Sequence, residues 1–263
     1  MLHLLPAWRA ALAGCALVLA SAGVMLPASA AQPAQPAPQA LARAALGSDP
    51  GWASVATWRD GALSQATVRR LPGAGQTAID PDSGASPQYE IGSISKLFTG
   101  LLLAQAVERG DLSLDDTVGK LLQGKITLVS PRVANITLRQ LITHSACLPR
   151  QFGVLRGAQA VETQLRTANR LDLMLGLAQQ QIDSQPPCLA RYSNFGIAVV
   201  GELLSEHYGK PWDVLVADQI TRPLGMVDTV LERQGQIDRL VPAYSGEASA
   251  EPWPMVAFAG AGG

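Results

Sequence analysis

The sequence predicts an α+β protein in which an antiparallel hairpin precedes a long helical region. Three observations carry this reading. Two strand-like runs, 52–58 and 62–71, flank Arg59-Asp60-Gly61, and Asp-Gly between such runs is a hairpin signal. Over about residues 97–230 the segments with a clear period have the helical one. Between them, 71–87 is rich in Pro, Gly, Ser and Asp and reads as a loop.

Taken in order, the chain opens with an export signal. His3 and Arg9 form the charged start, residues 10–26 the apolar stretch, and Ala28-Ser29-Ala30 a small-x-small cleavage site, so residues 1–30 are expected to be removed. Leu12-Ala13-Gly14-Cys15 is a lipoprotein-like box, but only five residues separate Arg9 from Cys15. Lipidation at Cys15 is therefore a minor alternative to a free periplasmic protein. Residues 31–39 are a Pro/Ala linker, and 40–263 form the folded domain. A short helix is expected over 39–46, stopped by Gly47 and Pro50. After residue 30 no uncharged apolar run is long enough for a bilayer, so the mature chain is expected to be soluble.

The helical middle begins at 96–109, where Leu97, Phe98, Leu101, Leu102 and Val107 recur at helical spacing and Gly110 is a stop. That segment is apolar nearly all round, which predicts burial at the centre of the domain. A shorter helix follows at about 115–122. Thr137-Leu138-Arg139-Gln140 is a capping box opening a helix to about His144. Residues 161–180 read as one helical region, and 197–208 as a helix stopped by Gly209.

The chemistry concentrates where the loop meets the first long helix. Ser93 and Lys96 are three apart in Glu90-Ile91-Gly92-Ser93-Ile94-Ser95-Lys96. With a helix starting near Ser93, the hydroxyl meets the free N–H groups of the helix N-terminus. Lys96 then lies one turn on and on the same face, in reach of the serine proton. A lysine accepts a proton only when neutral, a form that burial or neighbouring positive charge favours. Of the four lysines, only Lys96 has a serine three residues before it. A helix cap followed by a surface lysine is the competing reading. Tyr192 and Asn194, two apart in Tyr192-Ser193-Asn194, point to one side of an extended segment. A phenol and a carboxamide aimed at one cleft supply a proton relay and a hydrogen-bonding clamp; the alternative is a buried tyrosine beside a helix-capping asparagine.

Other chemistries lack their residues. The net charge of −1 and the lack of a basic run offer nothing to nucleic acid. No Gly-x-Ser-x-Gly elbow, His-Glu-x-x-His, Cys-x-x-Cys, phosphate loop or dinucleotide fingerprint occurs. Beyond residue 30 the histidines are His144 and His207, too few for an obvious triad. His144, Cys147 and Cys188 are weak candidates for a metal, and a disulfide between the two cysteines is the better reading. No cofactor or metal is expected.

These motifs, in this order, resemble the serine β-lactamase and penicillin-binding protein superfamily, in its class C-like branch. The Ser93-Ile94-Ser95-Lys96 stretch resembles the nucleophile motif, and Leu141-Ile142-Thr143-His144-Ser145-Ala146-Cys147-Leu148-Pro149 its Leu-Leu-Thr-His-Thr-Ser-Gly-Leu-Pro segment. Tyr192-Ser193-Asn194 resembles its Tyr-x-Asn motif and Pro223-Leu224-Gly225-Met226 its Pro-Leu-Gly-Met turn. Leu148-Pro149-Arg150-Gln151 and 220–226 look most like the D-alanyl-D-alanine carboxypeptidase/endopeptidase members. The resemblance implies an antiparallel sheet flanked by helices plus an all-helical domain, with the cleft between them. It also implies an acyl-enzyme on Ser93, proton transfer shared by Lys96 and Tyr192, Asn194 holding the substrate amide, and the Ser93 N–H as one oxyanion donor. The implied substrates are β-lactams or peptidoglycan peptides ending in D-Ala-D-Ala; an esterase and a non-catalytic relative are the alternatives.

Two departures from the family pattern stand out. Cys147 and Cys188 each replace a glycine usual in the family, and in an oxidising compartment they are expected to form a disulfide tying two motif-bearing loops. The family's third motif, Lys-Thr-Gly or His-x-Gly, has no counterpart before the closing Ala259-Gly260-Ala261-Gly262-Gly263. The expectation is thus a fragment with an incomplete sheet, inactive and poorly stable alone, unless 241–256 completes the sheet.

Overall fold

Asp60 and Gly61 both take positive φ, 48° and 79°, the geometry of a two-residue turn whose twist matches the strands it joins. Strand β1 (Gly51–Arg59) therefore pairs antiparallel with β2 (Ala62–Arg70), with Arg59 opposite Ala62 and Gly51 opposite Arg70. This is a computed structural model, which describes residues 36–79, 87–153, 158–231 and 239–263. The export signal, Cys15 and linker residues 31–35 lie outside the described residues.

The stretch expected as loop contains a third strand. Gln76–Ile79 forms β3 and pairs antiparallel with β2, giving the order β1-β2-β3. Its four residues are too few to show a period, and the surrounding Gly and Pro masked it. Helix α1 (Pro38–Leu46) lies on this sheet, with Ala42 and Val68 fully buried. Pro38 occupies the first turn, where its missing N–H costs nothing. Gln76 closes the other end, its Nε2 donating to the carbonyls of Arg43 and Gly47.

Residues 241–256 do not complete the sheet. Ala243–Ser245 (β4) and Ala248–Ala250 (β5) form a separate two-stranded hairpin. Its Glu247 accepts from Arg70 and from the Gly73 N–H, which leans the hairpin on the turn after β2.

The core is helical. α2 (Ser95–Glu108) follows a 3-10 turn over Gly92–Ile94, and packs against α8 (Asn194–Tyr208). Leu102, Leu103 and Ala106 of α2 meet a layer containing Phe195, Val199, Val200, Leu203 and Leu204 of α8. Burial of α2 is one-sided, against the expectation of a fully enclosed helix. Leu97 and Leu101 are 71% and 43% exposed, because among the described residues nothing packs over that face.

Short helices surround this pair. α3 (Val118–Leu121) is capped by Thr117 and α4 (Pro131–Ala134) by Ser130. α5 (Leu138–Ile142) carries the capping box between Thr137 and Gln140. The single helix expected over 161–180 is two, α6 (Ala158–Thr167) and α7 (Arg170–Gln179). Asn169 breaks it: its side chain accepts from the N–H groups of Leu171 and Asp172, and Asp172 accepts from the Asn169 N–H. This is a capping box written Asn-x-x-Asp rather than with the commoner residues. α9 (Trp212–Val216), not anticipated, runs into a π turn over Ala217–Thr221.

The last element, α10 (Ala259–Gly262), lies against both α2 and α8. Contact is close because glycine faces glycine. A Cβ on Gly260 would sit 3.0 Å from Thr99 Oγ1 and 3.4 Å from the Gly201 Cα, and one on Gly201 3.5 Å from the Gly260 Cα.

Candidate active site

The segment leading to Ser93 is held from several sides. Gln88 pairs with Arg239 and Val241 through its backbone, and its side chain donates to the Asp228 carbonyl. The Tyr89 hydroxyl shares a 2.7 Å hydrogen bond with Ser54 of β1, and Glu90 accepts from the Trp253 N–H. This fixes the turn over Gly92–Ile94, on which Ser93 is exposed. Among the described residues the Ser93 N–H reaches no backbone carbonyl, as expected at a helix start.

Lys96, one turn along, aims its ammonium at three oxygens. Nζ is 3.1 Å from Ser93 Oγ, 2.9 Å from Asn194 Oδ1 and 2.5 Å from the Ala261 carbonyl. An ammonium has three protons, so these contacts occupy its donors. Tyr192 completes the group, with its hydroxyl 2.6 Å from Ser93 Oγ and Lys96 Nζ 4.7 Å from its ring centre. The structure thus brings Ser93, Lys96, Tyr192 and Asn194 into one hydrogen-bonded cluster.

Tyr192 and Asn194 face the same way because Ser193 between them is extended and turned inward. Ser193 caps α8: Oγ accepts from the Gly196 N–H and donates to the Pro149 carbonyl. The helix cap is Ser193, not Asn194, which frees the Asn194 carboxamide for Lys96. Burial by itself raises the Tyr192 phenol. The nearby Lys96 ammonium, the hydrogen bond to Ser93 and the charge of Arg150 outweigh it and hold the phenol below its ordinary value of 10.0.

Four features of the site had weak sequence signals. His144 takes a φ of 60°, accepts the Ser193 N–H at Nδ1 (3.1 Å) and lies 4.9 Å from the Tyr192 ring. Burial first, then the Lys96 charge, lower its pKa below 6.5. Arg150 places its guanidinium carbon 5.1 Å from the Tyr192 ring centre. Ser95 and Thr99, both fully buried, donate to the carbonyls of Gly263 and Gly260 on either side of Ala261. Two hydroxyls at i and i+4 beside Lys96, in an otherwise apolar helix, are the signal that could have revealed this seat. The Ala261 carbonyl, being backbone, has no sequence signal.

Cys147 and Cys188 are bonded, with Cα atoms 5.3 Å apart. Cys147 has a φ of 60°, a left-handed conformation that favours glycine, which accounts for the family's usual residue there. The bond sits beside a backbone ladder, Cys188 N–H to Ser145 O and Arg191 N–H to His144 O, that aligns the loop bearing Tyr192. Among the described residues no cluster of three or more His, Cys, Asp or Glu is placed to hold a metal, and His144 is instead engaged with Ser193. A cavity of about 550 Å³ lies beyond Ser95, among Phe98, Trp212, Val216 and Leu231; Ser93, Lys96, Tyr192 and Asn194 do not line it.

Residues 50–263 match the family model described as Beta-lactamase. The chain is 30% identical over 153 residues to the D-alanyl-D-alanine-carboxypeptidase/endopeptidase AmpH of Escherichia coli K12, covering 57% of this chain and 39% of that protein. It is 26% identical over 205 residues to penicillin-binding protein 4 of Amycolatopsis lactamdurans, covering 77% and 50%. In both matches it spans half or less of the relative's length. Among solved structures, it is similar to a class C beta lactamase from Rhodobacter sphaeroides (TM-score 0.62, 24% identity, 85% of this chain and 60% of that one). It is also similar to a beta-lactamase/D-alanine carboxypeptidase from Yersinia pestis (TM-score 0.58, 25% identity, 82% and 59%). These likenesses give the β-lactamase/transpeptidase-like α+β fold.

Proposed function

Because the chain belongs to the Beta-lactamase family, whose members include serine hydrolases, we propose that it is an exported serine hydrolase that forms an acyl-enzyme on Ser93. Its substrates are β-lactams or peptides ending in D-Ala-D-Ala. The observation that supports this most is the Ser93 hydroxyl held between the Tyr192 hydroxyl at 2.6 Å and the Lys96 ammonium at 3.1 Å.

In this reading Tyr192 takes the serine proton as Oγ bonds to the substrate carbonyl carbon. Lys96 donates to the Ser93 oxygen, and its charge beside the Tyr192 ring favours the negative charge that Tyr192 must carry to act as base. Tyr192 then returns the proton to the leaving nitrogen as the amide bond breaks. The Ser93 N–H donates to the developing oxyanion, and the Asn194 amide nitrogen is left for a substrate carbonyl. Water cleaves the acyl-enzyme by the same relay in reverse.

A fluorescent penicillin tests the proposal. It should label the full chain covalently, and Ser93→Ala should abolish labelling; label retained by that variant would sink the assignment. Turnover of a chromogenic cephalosporin, a D-Ala-D-Ala peptide and a short-chain ester then ranks the substrates. Stoichiometric labelling without turnover of any of them would instead favour a penicillin-binding relative that has lost deacylation.

A further inference from the structure

We propose that Arg150 is a specificity residue that recognises a carboxylate on the substrate; this rests on the acyl-transfer reading of Ser93. Among the described residues, guanidiniums lie over rings at Arg69–Trp52, Arg109–Tyr208, Arg166–Trp253 and Arg150–Tyr192, and of these Arg150 meets the ring of a site residue. Arg109, Arg139, Arg166, Arg170, Arg222 and Arg239 each pair with a carboxylate. Among the described residues Arg150 has no such partner, and its guanidinium meets the Tyr192 ring.

Its backbone is fixed, while among the described residues its guanidinium is paired with no carboxylate and rests on the Tyr192 ring. The Arg150 carbonyl accepts the Phe195 N–H at 3.1 Å, and the preceding Pro149 carbonyl accepts Ser193 Oγ at 2.6 Å. Arg150 is thereby anchored to the same helix start that presents Tyr192 and Asn194. An exposed guanidinium on a fixed backbone, beside the tyrosine whose hydroxyl touches Ser93, is a fork waiting for two oxygens.

The lengths suit a carboxylate close to the bond that is cut. Tyr192 marks that bond, since its hydroxyl touches Ser93 Oγ, and the guanidinium carbon is 5.1 Å from the same ring's centre. One residue of extended peptide spans about 3.3–3.6 Å, and a guanidinium reaches its oxygen at about 2.7–2.9 Å. A carboxylate one residue from the scissile carbonyl is therefore within reach. It has two sources, the free C-terminus of the leaving D-alanine or an acidic group on the acyl side.

Matched substrates distinguish them. A D-Ala-D-Ala peptide and its C-terminal amide probe the leaving group; peptides with and without an acidic residue before D-Ala-D-Ala probe the acyl side. In Arg150→Gln, the kcat/KM preference for the charged member of one pair should fall roughly 10- to 100-fold, as for loss of a charge-assisted hydrogen bond. Arg150→Lys should keep part of that preference. Unchanged preference in both pairs would overturn the proposal, as would equal loss on charged and neutral substrates with only a shifted pH profile, which is action through Tyr192 alone. Peptide binding to Ser93→Ala, with and without Arg150→Gln, separates this from the chemistry. A Kd difference that depends on Arg150, together with a wild-type chain that penicillin fails to label, would uphold Arg150 while rejecting the hydrolase reading. No such difference would reject Arg150's role.

Discussion

The Lys96 ammonium is held 2.5 Å from the carbonyl oxygen of Ala261, a residue 165 positions away in the chain. Ser95 and Thr99 seat the neighbouring carbonyls, and Trp212 donates to Thr99 at 3.0 Å. The orientation of the proposed base pair thus depends on a glycine-rich turn with no reactive side chain. Gly260→Val tests this dependence, since its Cβ meets Thr99, Trp212 and Gly201. Overpacking of this kind costs about 1–3 kcal/mol, so urea unfolding should shift by that amount and penicillin labelling should slow. An unchanged midpoint together with unchanged labelling would show that the turn is not needed.

Lys96 itself should not tolerate even a conservative change. Arginine keeps the charge but replaces a compact ammonium, which reaches three oxygens, with a planar fork. Lys96→Arg and Lys96→Ala should each slow acylation by about 10²–10³-fold, the usual range for losing a donor that stabilises developing negative charge. Stopped-flow acylation within tenfold of wild type in either variant would remove Lys96 from the mechanism.

Tyr192 has a phenol lowered from 10.0, so its anion forms at lower pH than that of a free tyrosine. If the anion is the base, acylation should rise with pH through a limb centred below 10 and level off above it. Tyr192→Phe should lose that limb along with most of the rate. A mutant profile of the same shape, merely scaled, would point to another base.

His144 gives stability a pH dependence of known sign. Its folded-state pKa lies below 6.5, so between that value and 6.5 the unfolded chain binds the proton that the folded chain refuses. Stability is therefore lost as pH falls through this window, because the charged imidazolium would be partly buried and face the Lys96 charge. Asparagine tolerates the left-handed backbone and offers an acceptor, so His144→Asn should flatten the acid side of the stability curve. Superimposable curves for the two proteins, by chemical denaturation from pH 5 to 8, would contradict this.

The Cys147–Cys188 bond closes a separation of 41 residues beside the ladder that aligns Tyr192. Bonds of this kind stabilise by about 2–4 kcal/mol. Reduction should lower the melting temperature and slow acylation together, and the Cys147→Ala, Cys188→Ala double variant should reproduce both effects and be insensitive to reductant. Faster or unaltered acylation after confirmed reduction would show that the loop keeps its place without the bond.

What the sequence by itself determined was local. The Asp60-Gly61 turn, the Thr137/Gln140 capping box and the stop at Gly209 each follow from a few adjacent residues whose conformational preferences act within one turn. Ser93 with Lys96, and Tyr192 with Asn194, were legible as pairs for the same reason, since helix and strand periods place residues three or two apart on one side. Only the tertiary structure decided that the two pairs meet, that Ser193 rather than Asn194 caps α8, and that the Ala261 carbonyl accepts a hydrogen bond from Lys96. It also decided that β3 exists, through pairing with β2, and that α2 is covered on one side. These are contacts between distant segments made largely through backbone atoms, which every residue carries alike, so no pattern of side chains announces them.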